Sequence, residues 1–212
     1  MCGRYTFVKS IDEVNHHFSL QGKSIDYTPR WNAAPSQQLP VITQQDPTTL
    51  VLFRWGFLPT WNFSPLINVR SETVFEKSSF RFAVQYQRCL VVADGYYEWD
   101  SQGIPYYIRL PQHRLFAMAG IWEKKNCFAI LTTQASEGIA SLHDRMPLIL
   151  SPHYYHDWLT TTSPEKLLPA LISQTQQLEL EFYTVSKNVN NVRNDSPDLL
   201  KPFFYPVQGR LF

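Results

Sequence analysis

The sequence predicts an α+β fold: residues 1–212 form a single domain around a strongly bent, mostly antiparallel β-sheet with a barrel-like core and flanking helices. Five segments between residues 89 and 133 have strand composition and follow one another with tight turns, which is typical of a meander that bends toward a barrel. Apolar residues make up 44% of the 212 residues, enough for one packed core. The chain contains no repeats, low-complexity tracts or linkers.

The predicted strands share β-branched and aromatic residues bounded by turn residues. They cover residues 4–8, 39–43, 49–57, 66–70, 89–93, 96–100, 104–110, 115–122, 128–133, 146–150 and 178–185. Residues 27–35 are predicted as coil that ends in an extended turn before Pro35.

The helices are predicted from their start signals. Ser10 and Glu13 have capping-box spacing, which predicts a helix over residues 11–18. The other predicted helical segments are 71–76, 80–87, 137–142, 152–159 and 164–171, the last interrupted or ended at Pro169.

The balance of charge and the cysteine count exclude several classes of protein. With 19 Lys and Arg against 18 Asp and Glu, the net charge of +1 argues against a non-specific polycation but leaves room for a local phosphate groove. The three cysteines, Cys2, Cys89 and Cys127, are odd in number and lack C-x-x-C spacing. We therefore expect a reducing compartment, with no disulfide framework, metal site or cofactor.

No apolar run approaches the length of a membrane span, and residues 1–20 lack the apolar region of a secretory signal. The sequence therefore predicts a cytoplasmic protein, associated with the nucleoid if it is bacterial, with no membrane partner. We expect a monomer.

The first four residues, Met1-Cys2-Gly3-Arg4, suggest unusual chemistry. Methionine aminopeptidases generally remove Met1 before a small residue. Removal would leave Cys2 with a free amine, whose pKa is about 8, and a thiol, whose pKa is about 8.5. Such a 1,2-aminothiol condenses with an aldehyde to an imine and then closes to a thiazolidine ring. The alternative is that Cys2 is only a small apolar residue that starts an edge strand.

Polar residues cluster at four places. These are Cys2-Gly3-Arg4, Asn68-Val69-Arg70-Ser71-Glu72, Ala93-Asp94-Gly95-Tyr96-Tyr97-Glu98-Trp99 and Leu142-His143-Asp144-Arg145-Met146-Pro147. Glu98 lies in an aromatic strand, so its carboxylate either faces outward or sits in a partly dry pocket where its pKa is raised. His143 beside Asp144 is either a proton shuttle or a surface pair. Gly95 either lets the backbone approach closely or forms a turn.

The order and number of these clusters resemble the SOS-response-associated peptidase (SRAP) family of abasic-site-processing proteins. The resemblance runs nearly end to end. Besides the four clusters it includes Arg30-Trp31-Asn32-Ala33-Ala34-Pro35, Trp55-Gly56-Phe57-Leu58-Pro59, Trp61 and a late stretch from Val185 to Asn194. Asn62 stands where some relatives have a second aromatic residue, and Ser78 stands at a position that is basic in some of them.

The resemblance implies a single α/β domain around a strongly bent sheet. It also implies that the cysteine exposed by removal of Met1 cross-links to the ring-opened aldehyde of abasic sites in single-stranded DNA. By resemblance, Cys2 is the nucleophile, and its catalytic neighbours are Asn68, Glu98 and His143. The resemblance also implies DNA contacts by Arg4, Asn32, Arg70 and Arg145. To these contacts we add Pro35, the basic side chain of Lys77, and stacking of bases by Trp55 and Trp61, including at junctions with duplex DNA.

In this mechanism Glu98 takes a proton from the Cys2 amine, and His143 protonates the sugar ring oxygen or helps to reverse the link. Two alternatives stay open from the residues alone. One is a cysteine peptidase or amidohydrolase that uses Cys2 as nucleophile and His143 as base, including self-removal of Met1. The other is a non-catalytic module that binds single-stranded DNA by stacking and charge. The aromatic loop near Trp61 and Phe63 is either a stacking surface or part of the core.

Overall fold

The structure is a computed structural model that describes residues 2–21, 25–57, 64–123 and 125–206. In these residues the chain forms an α+β fold with two sheets, one mixed but mostly antiparallel and the other antiparallel, which confirms the predicted fold class. The strands are β1 (Arg4–Phe7), β2 (Arg30–Ala33), β3 (Gln38–Thr43), β4 (Leu50–Trp55), β5 (Asn68–Arg70), β6 (Arg88–Ala93), β7 (Gly95–Trp99), β8 (Pro105–Arg109), β9 (Phe116–Glu123), β10 (Cys127–Gln134), β11 (Arg145–Pro147), β12 (Ile149–Leu150) and β13 (Glu181–Thr184). The α-helices are α1 (Ile11–Phe18), α2 (Ser78–Tyr86), α3 (Glu137–Ala140), α4 (Tyr155–Thr160) and α5 (Pro164–Gln176).

The larger sheet, here called the barrel sheet, has the strand order β11-β10-β4-β3-β6-β9-β12, with β5 beside β10. Its strand β9 also pairs with β10, so β10, β4, β3, β6 and β9 close into a ring. Most of the pairings are antiparallel, but β10 runs parallel to β4 and to β5. The predicted barrel-like core is therefore present.

The smaller sheet, here called the N-terminal sheet, has the order β13-β8-β7-β1-β2. It corrects two predictions. The strands from residue 89 to residue 133 are not one meander, because β7 and β8 belong to the N-terminal sheet, where β7 pairs with β1 and β8 pairs with β7 and β13. Residues 30–33, predicted as coil, form β2, whose partner β1 is distant in sequence. Local pattern did not reveal this strand because its pairing is long-range.

The helices follow their local signals in most places. The capping box of α1 is formed in both directions: Ser10 accepts from the Glu13 backbone, and the Glu13 side chain accepts from the Ser10 backbone. The helix predicted from Ser71 is a single 3-10 turn, Ser71–Thr73. The helix predicted to break near Pro169 continues to Gln176 as α5. A proline inside a helix costs about 3 kcal/mol, and the buried stripe of Leu168, Leu171 and Thr175 offsets that cost.

The two faces of the N-terminal sheet meet different hydrophobic clusters. Tyr5 and Tyr96 belong to the main core together with Cys2. Tyr97 belongs to a smaller cluster with Val189. Consecutive residues of a strand point to opposite faces, so Tyr96 and Glu98 share the face of β7 toward the main core. Of the helices in the described residues, none is both long and apolar enough to cross a membrane.

Candidate active site

Pairing between β1 and β7 brings the start of the chain to Glu98. Arg4 is opposite Tyr97 and Tyr5 is opposite Tyr96 in antiparallel register. Continuing that register by one residue places Gly3 opposite Glu98, and directly opposed residues of a sheet share a face. Cys2 is the residue just before Gly3 in the chain. It belongs to the main core, the side toward which Glu98 also points, and its thiol interacts electrostatically with the Glu98 carboxyl.

Asn68 connects Cys2 to the barrel sheet. It begins β5, which is aligned by parallel pairing with β10. Its side-chain Nδ2 donates a 2.8 Å hydrogen bond to the carbonyl oxygen of Cys2. The buried Oδ1 of Asn68 accepts no hydrogen bond from the described residues. The amide therefore holds the backbone at Cys2 and keeps an acceptor for a ligand.

Glu98 is buried, with only 2% of its surface exposed. This excludes the outward-facing alternative. Burial raises the pKa of Glu98 to about 7, and the negative charge of Asp144 acts in the same direction. A carboxyl with this pKa both accepts and donates protons near neutrality, as general acid–base chemistry requires.

His143 lies in the turn between α3 and β11, and the neighbouring Asp144 lies within electrostatic range of Glu98. The Nδ1 atom of His143 is 2.9 Å from the backbone nitrogen of Arg145 and 2.9 Å from Asp144 Oδ1. A neutral ring accepts from the Arg145 N–H, whereas a protonated ring donates to Asp144. Burial lowers the pKa of His143, so we assign the neutral form at neutral pH.

The Cys2 thiol is fully buried, and its Sγ lies 3.7 Å from the carbonyl oxygen of Arg4. Burial raises the pKa of the thiol well above its usual range, and the charge of Glu98 adds to this effect. The thiolate is therefore unfavourable in this form of the chain, and a reaction at sulfur needs groups that stabilise it.

The residues predicted to contact DNA differ in their exposure and in whether their side chains are already hydrogen-bonded within the protein. Arg70 and Lys77 are exposed, and Pro35 is half-buried. Arg145 is held by Glu72 in a two-pronged ion pair of 2.7 and 2.9 Å and also donates to the carbonyl oxygen of Thr132. Arg4 Nη1 donates to the carbonyl oxygen of Val189 at 2.9 Å.

Two of the predicted DNA contacts, Trp55 and Asn32, are buried in this structure. Trp55 is fully buried, its ring lies against Tyr5, and its Nε1 donates to the carbonyl oxygen of Ile67. It packs the core and offers no face to a base. Asn32 is also fully buried. Its Nδ2 lies within hydrogen-bonding distance of three backbone carbonyls, those of Val189, Asn191 and Asn194. These belong to residues 186–195, here called the Asn-rich loop.

Trp61 lies outside the described residues, so its predicted stacking stays a prediction. The same holds for Phe63 of the same loop.

The buried Asp94 was not predicted as part of the site. Its Oδ1 accepts from the Thr6 hydroxyl, and its Oδ2 accepts from the backbone of Val8 at 2.6 Å. These bonds anchor β1, the strand that presents Cys2. Gly95 is required because a Cβ there would overlap the hydroxyl end of Tyr107. The sequence feature that could have pointed to Asp94 is the Asp-Gly pair inside a polar cluster. The residues that Asp94 and Gly95 contact on β1 and β8 are distant in sequence, so the pair alone did not reveal them.

Metal chemistry gains no support from side-chain placement. Across the described ranges, no three or more His, Cys, Asp or Glu side chains are grouped so that they could hold a metal ion.

A known protein family matches most of the chain. The family model described as SOS response associated peptidase (SRAP) matches residues 1–192. The chain belongs to the SRAP family. All four polar clusters lie within the matched residues, so Cys2, Asn68, Glu98 and His143 are positions of the SRAP domain.

This SRAP protein is similar over nearly its whole length to named relatives. The abasic site processing protein YoqW of Bacillus subtilis is 35% identical over 223 residues, which cover 95% of this chain and 99% of the relative. The abasic site processing protein YedK of Escherichia coli is 28% identical, with coverage of 95% and 100%. A crystal structure of a protein from Bacteroides thetaiotaomicron matches the fold with a TM-score of 0.81, at 22% identity and coverage of 96% and 100%.

Proposed function

We propose that this SRAP protein processes abasic sites in single-stranded DNA by forming a covalent cross-link through Cys2 after Met1 is removed. The observation that carries the proposal is the placement of Cys2 beside a buried carboxyl whose pKa is about 7, with Asn68 fixing the Cys2 backbone. The names of the relatives support the substrate, since YoqW and YedK are abasic site processing proteins.

The reaction uses both nucleophiles of an N-terminal cysteine. The neutral amine of Cys2 adds to C1′ of the ring-opened deoxyribose, and loss of water gives an imine. The Sγ atom then adds to the imine carbon, the C=N electron pair returns to nitrogen, and the thiol proton ends on that nitrogen, which closes a thiazolidine. The balance is one aldehyde and one aminothiol converted to one ring and one water. An intact nucleotide offers no aldehyde, so the missing base supplies the selectivity.

Glu98 is the proton carrier of this sequence. Its carboxylate takes a proton from the attacking amine and its carboxyl form returns one to the departing hydroxyl, which a group titrating near 7 can do in both directions. His143, neutral at rest, first takes up a proton and then donates it to the sugar ring oxygen as the ring opens. Asn68 positions Cys2 without a change in charge.

Arg70 and Lys77 are the exposed cations that we assign to the phosphate backbone. Such contacts position a strand without reading its sequence. Arg145 is already paired with Glu72, so it contacts phosphate only by exchanging that partner. Arg4, two residues after Cys2, donates to the carbonyl oxygen of Val189. We keep Arg4 and Pro35 as proposed DNA contacts. We further propose stacking by Trp61 and binding at junctions with duplex DNA.

Removal of Met1 precedes the chemistry. While Met1 is attached, the nitrogen of Cys2 is an amide, and Cys2 is fully buried in this chain. A mass spectrum of the intact purified protein tells whether the residue is gone. A sample that retains Met1 should form no adduct.

The test is formation of an SDS-stable adduct between the Met1-free protein and a single-stranded oligonucleotide with one abasic site. Cys2→Ser keeps a small second residue and a free amine but lacks sulfur, so it should give only an imine that hydrolyses. Cys127→Ser removes a thiol remote from Glu98 and is the matched control, expected to react normally. An equally stable adduct with Cys2→Ser rules out the thiazolidine.

The family description also names a peptidase, so the same proteins should be offered peptide substrates. Repeated peptide turnover that is lost in Cys2→Ala would favour the peptidase. Salt-sensitive binding of undamaged strands with no adduct at abasic sites would favour a non-catalytic DNA-binding module.

A further inference from the structure

Two tyrosine hydroxyls are buried beside the site without a use in the chemistry described so far. Tyr5 and Tyr96 are directly opposite each other on β1 and β7, and both are fully buried. Neither hydroxyl has a hydrogen-bond partner among the described residues. A buried polar group without a hydrogen-bond partner lowers the stability of the resting protein. We therefore looked for a group that these two donors could bind during the reaction.

The surroundings of the two hydroxyls point to the sulfur of Cys2. Tyr96 is two residues before Glu98 on the same face of β7, and it interacts electrostatically with both Cys2 and Glu98. Tyr5 also interacts with Cys2, and its ring is held against Trp55 with the ring centroids 5.1 Å apart. Burial keeps both tyrosines protonated by raising their pKa, so each is a donor throughout the neutral range.

Ring closure needs such a donor. Sulfur attacks as thiolate, yet Cys2 lies in a buried site beside a carboxyl group, which disfavours negative charge on sulfur. We propose that the Tyr96 hydroxyl, with Tyr5 beside it, donates a hydrogen bond to the Cys2 thiolate and so accelerates the step that converts the imine to the thiazolidine. This inference rests on the proposed cross-linking function.

The step balances without a co-reactant. The Sγ–H proton passes to the Glu98 carboxylate, the Sγ–C1′ bond forms as the C=N electron pair moves to nitrogen, and the Glu98 carboxyl then returns the proton to that nitrogen. The imine and the thiazolidine are isomers, so nothing leaves. The tyrosines keep their own protons and act only as hydrogen-bond donors, in the way that an oxyanion site stabilises developing charge.

The test variant is Tyr96→Phe, which removes one oxygen and keeps the ring. The matched control is Tyr97→Phe on the same strand, whose hydroxyl donates to the carbonyl oxygen of Trp31 at 2.8 Å on the opposite face. The Met1-free proteins react with abasic single-stranded DNA, and samples are treated with borohydride over time to trap the imine. The trapped imine and the thiazolidine are then quantified by mass spectrometry.

We expect Tyr96→Phe to form the imine at the normal rate and to close the ring about 10- to 100-fold more slowly, the range for loss of a hydrogen bond to a charged group. Tyr97→Phe should close the ring normally. The two variants should rank in the opposite order in stability. Tyr97→Phe loses a hydrogen bond and should unfold at a lower urea concentration than the wild type. Tyr96→Phe loses only an unpartnered hydroxyl and should unfold at the wild-type concentration.

Ring closure at the wild-type rate in both Tyr96→Phe and Tyr5→Phe overturns the inference. So does a loss of stability in Tyr96→Phe as large as that in Tyr97→Phe, because it would show that the hydroxyl already has a partner. If Tyr96→Phe fails to fold, Tyr5→Phe carries the kinetic test. Failure of the wild-type protein to form any sulfur-dependent adduct instead sinks the proposed function.

Discussion

The side-chain amide of Asn68 donates a 2.8 Å hydrogen bond to the carbonyl oxygen of Cys2. The bond joins the barrel sheet, through β5, to the residue that leads into β1 of the N-terminal sheet. The position of Cys2 is therefore set by both sheets at once.

Asn68→Ala should slow cross-linking by about 5- to 10-fold, because one neutral hydrogen bond contributes about 1 kcal/mol. Single-turnover kinetics with abasic single-stranded DNA measure the effect. Asn191→Ala, which removes an exposed side-chain bond to the Arg193 backbone, is the control and should react normally. Equal rates for Asn68→Ala and wild type would show that the bond does not position the nucleophile.

The rate of cross-linking should depend on the ionisation of Glu98. Because burial raises its pKa to about 7, the fraction that can accept a proton grows as the pH rises through that value. The pH profile of imine formation should therefore have an inflection near 7 in the wild type, and Glu98→Gln should be slow and lack it. An unchanged inflection in Glu98→Gln assigns the titration to another group.

The same shift predicts how stability depends on pH. The pKa of Glu98 is about 7 in the folded protein against an ordinary value of 4.5, so the folded state binds more protons between these values. Stability should fall as pH rises through this window, by about 3 kcal/mol at most. Urea denaturation from pH 4.5 to 8 tests this, and Glu98→Gln should lack the fall. A parallel decline in both proteins would contradict the assignment.

Arg70→Gln should weaken binding to undamaged single strands and make it less sensitive to salt. Loss of one phosphate contact should reduce the slope of log affinity against log salt by about 0.7 to 1. Arg109→Gln is the control, since Arg109 is paired with Glu181 at the far edge of the N-terminal sheet. Equal slopes for the two variants would remove Arg70 from the DNA surface.

Thr6→Val should destabilise the fold and through it the placement of Cys2. The Thr6 hydroxyl donates to the buried Asp94 carboxylate, and a methyl group leaves that acceptor short of a donor at a cost of about 1–3 kcal/mol. The urea midpoint should drop, and adduct formation per folded molecule should slow. A midpoint equal to that of the wild type would mean that Asp94 does not anchor β1 through this bond.

Sequence patterns succeeded where a few adjacent residues decide the outcome. The capping box of Ser10 and Glu13 is local, and so is the aromatic composition that predicted the strand carrying Glu98. They missed β2 and assigned the β7–β8 hairpin to the wrong sheet, because the strands that pair with them are remote in sequence. The same limit explains Trp55 and Asn32, whose motifs were identified but whose burial was not.

The sequence by itself determined the chemical inventory of this protein: an aminothiol at Cys2 once Met1 is gone, a carboxyl at Glu98, and an α+β chain of many short strands. Tertiary structure alone decided that Glu98 is buried, that Asn68 donates a hydrogen bond to Cys2, and that Trp55 packs in the core. The physical reason is that residue type fixes which protons and electron pairs are present. Desolvation and distance, which set the pKa of Glu98 and the partner of Asn68, arise only when two sheets pack together.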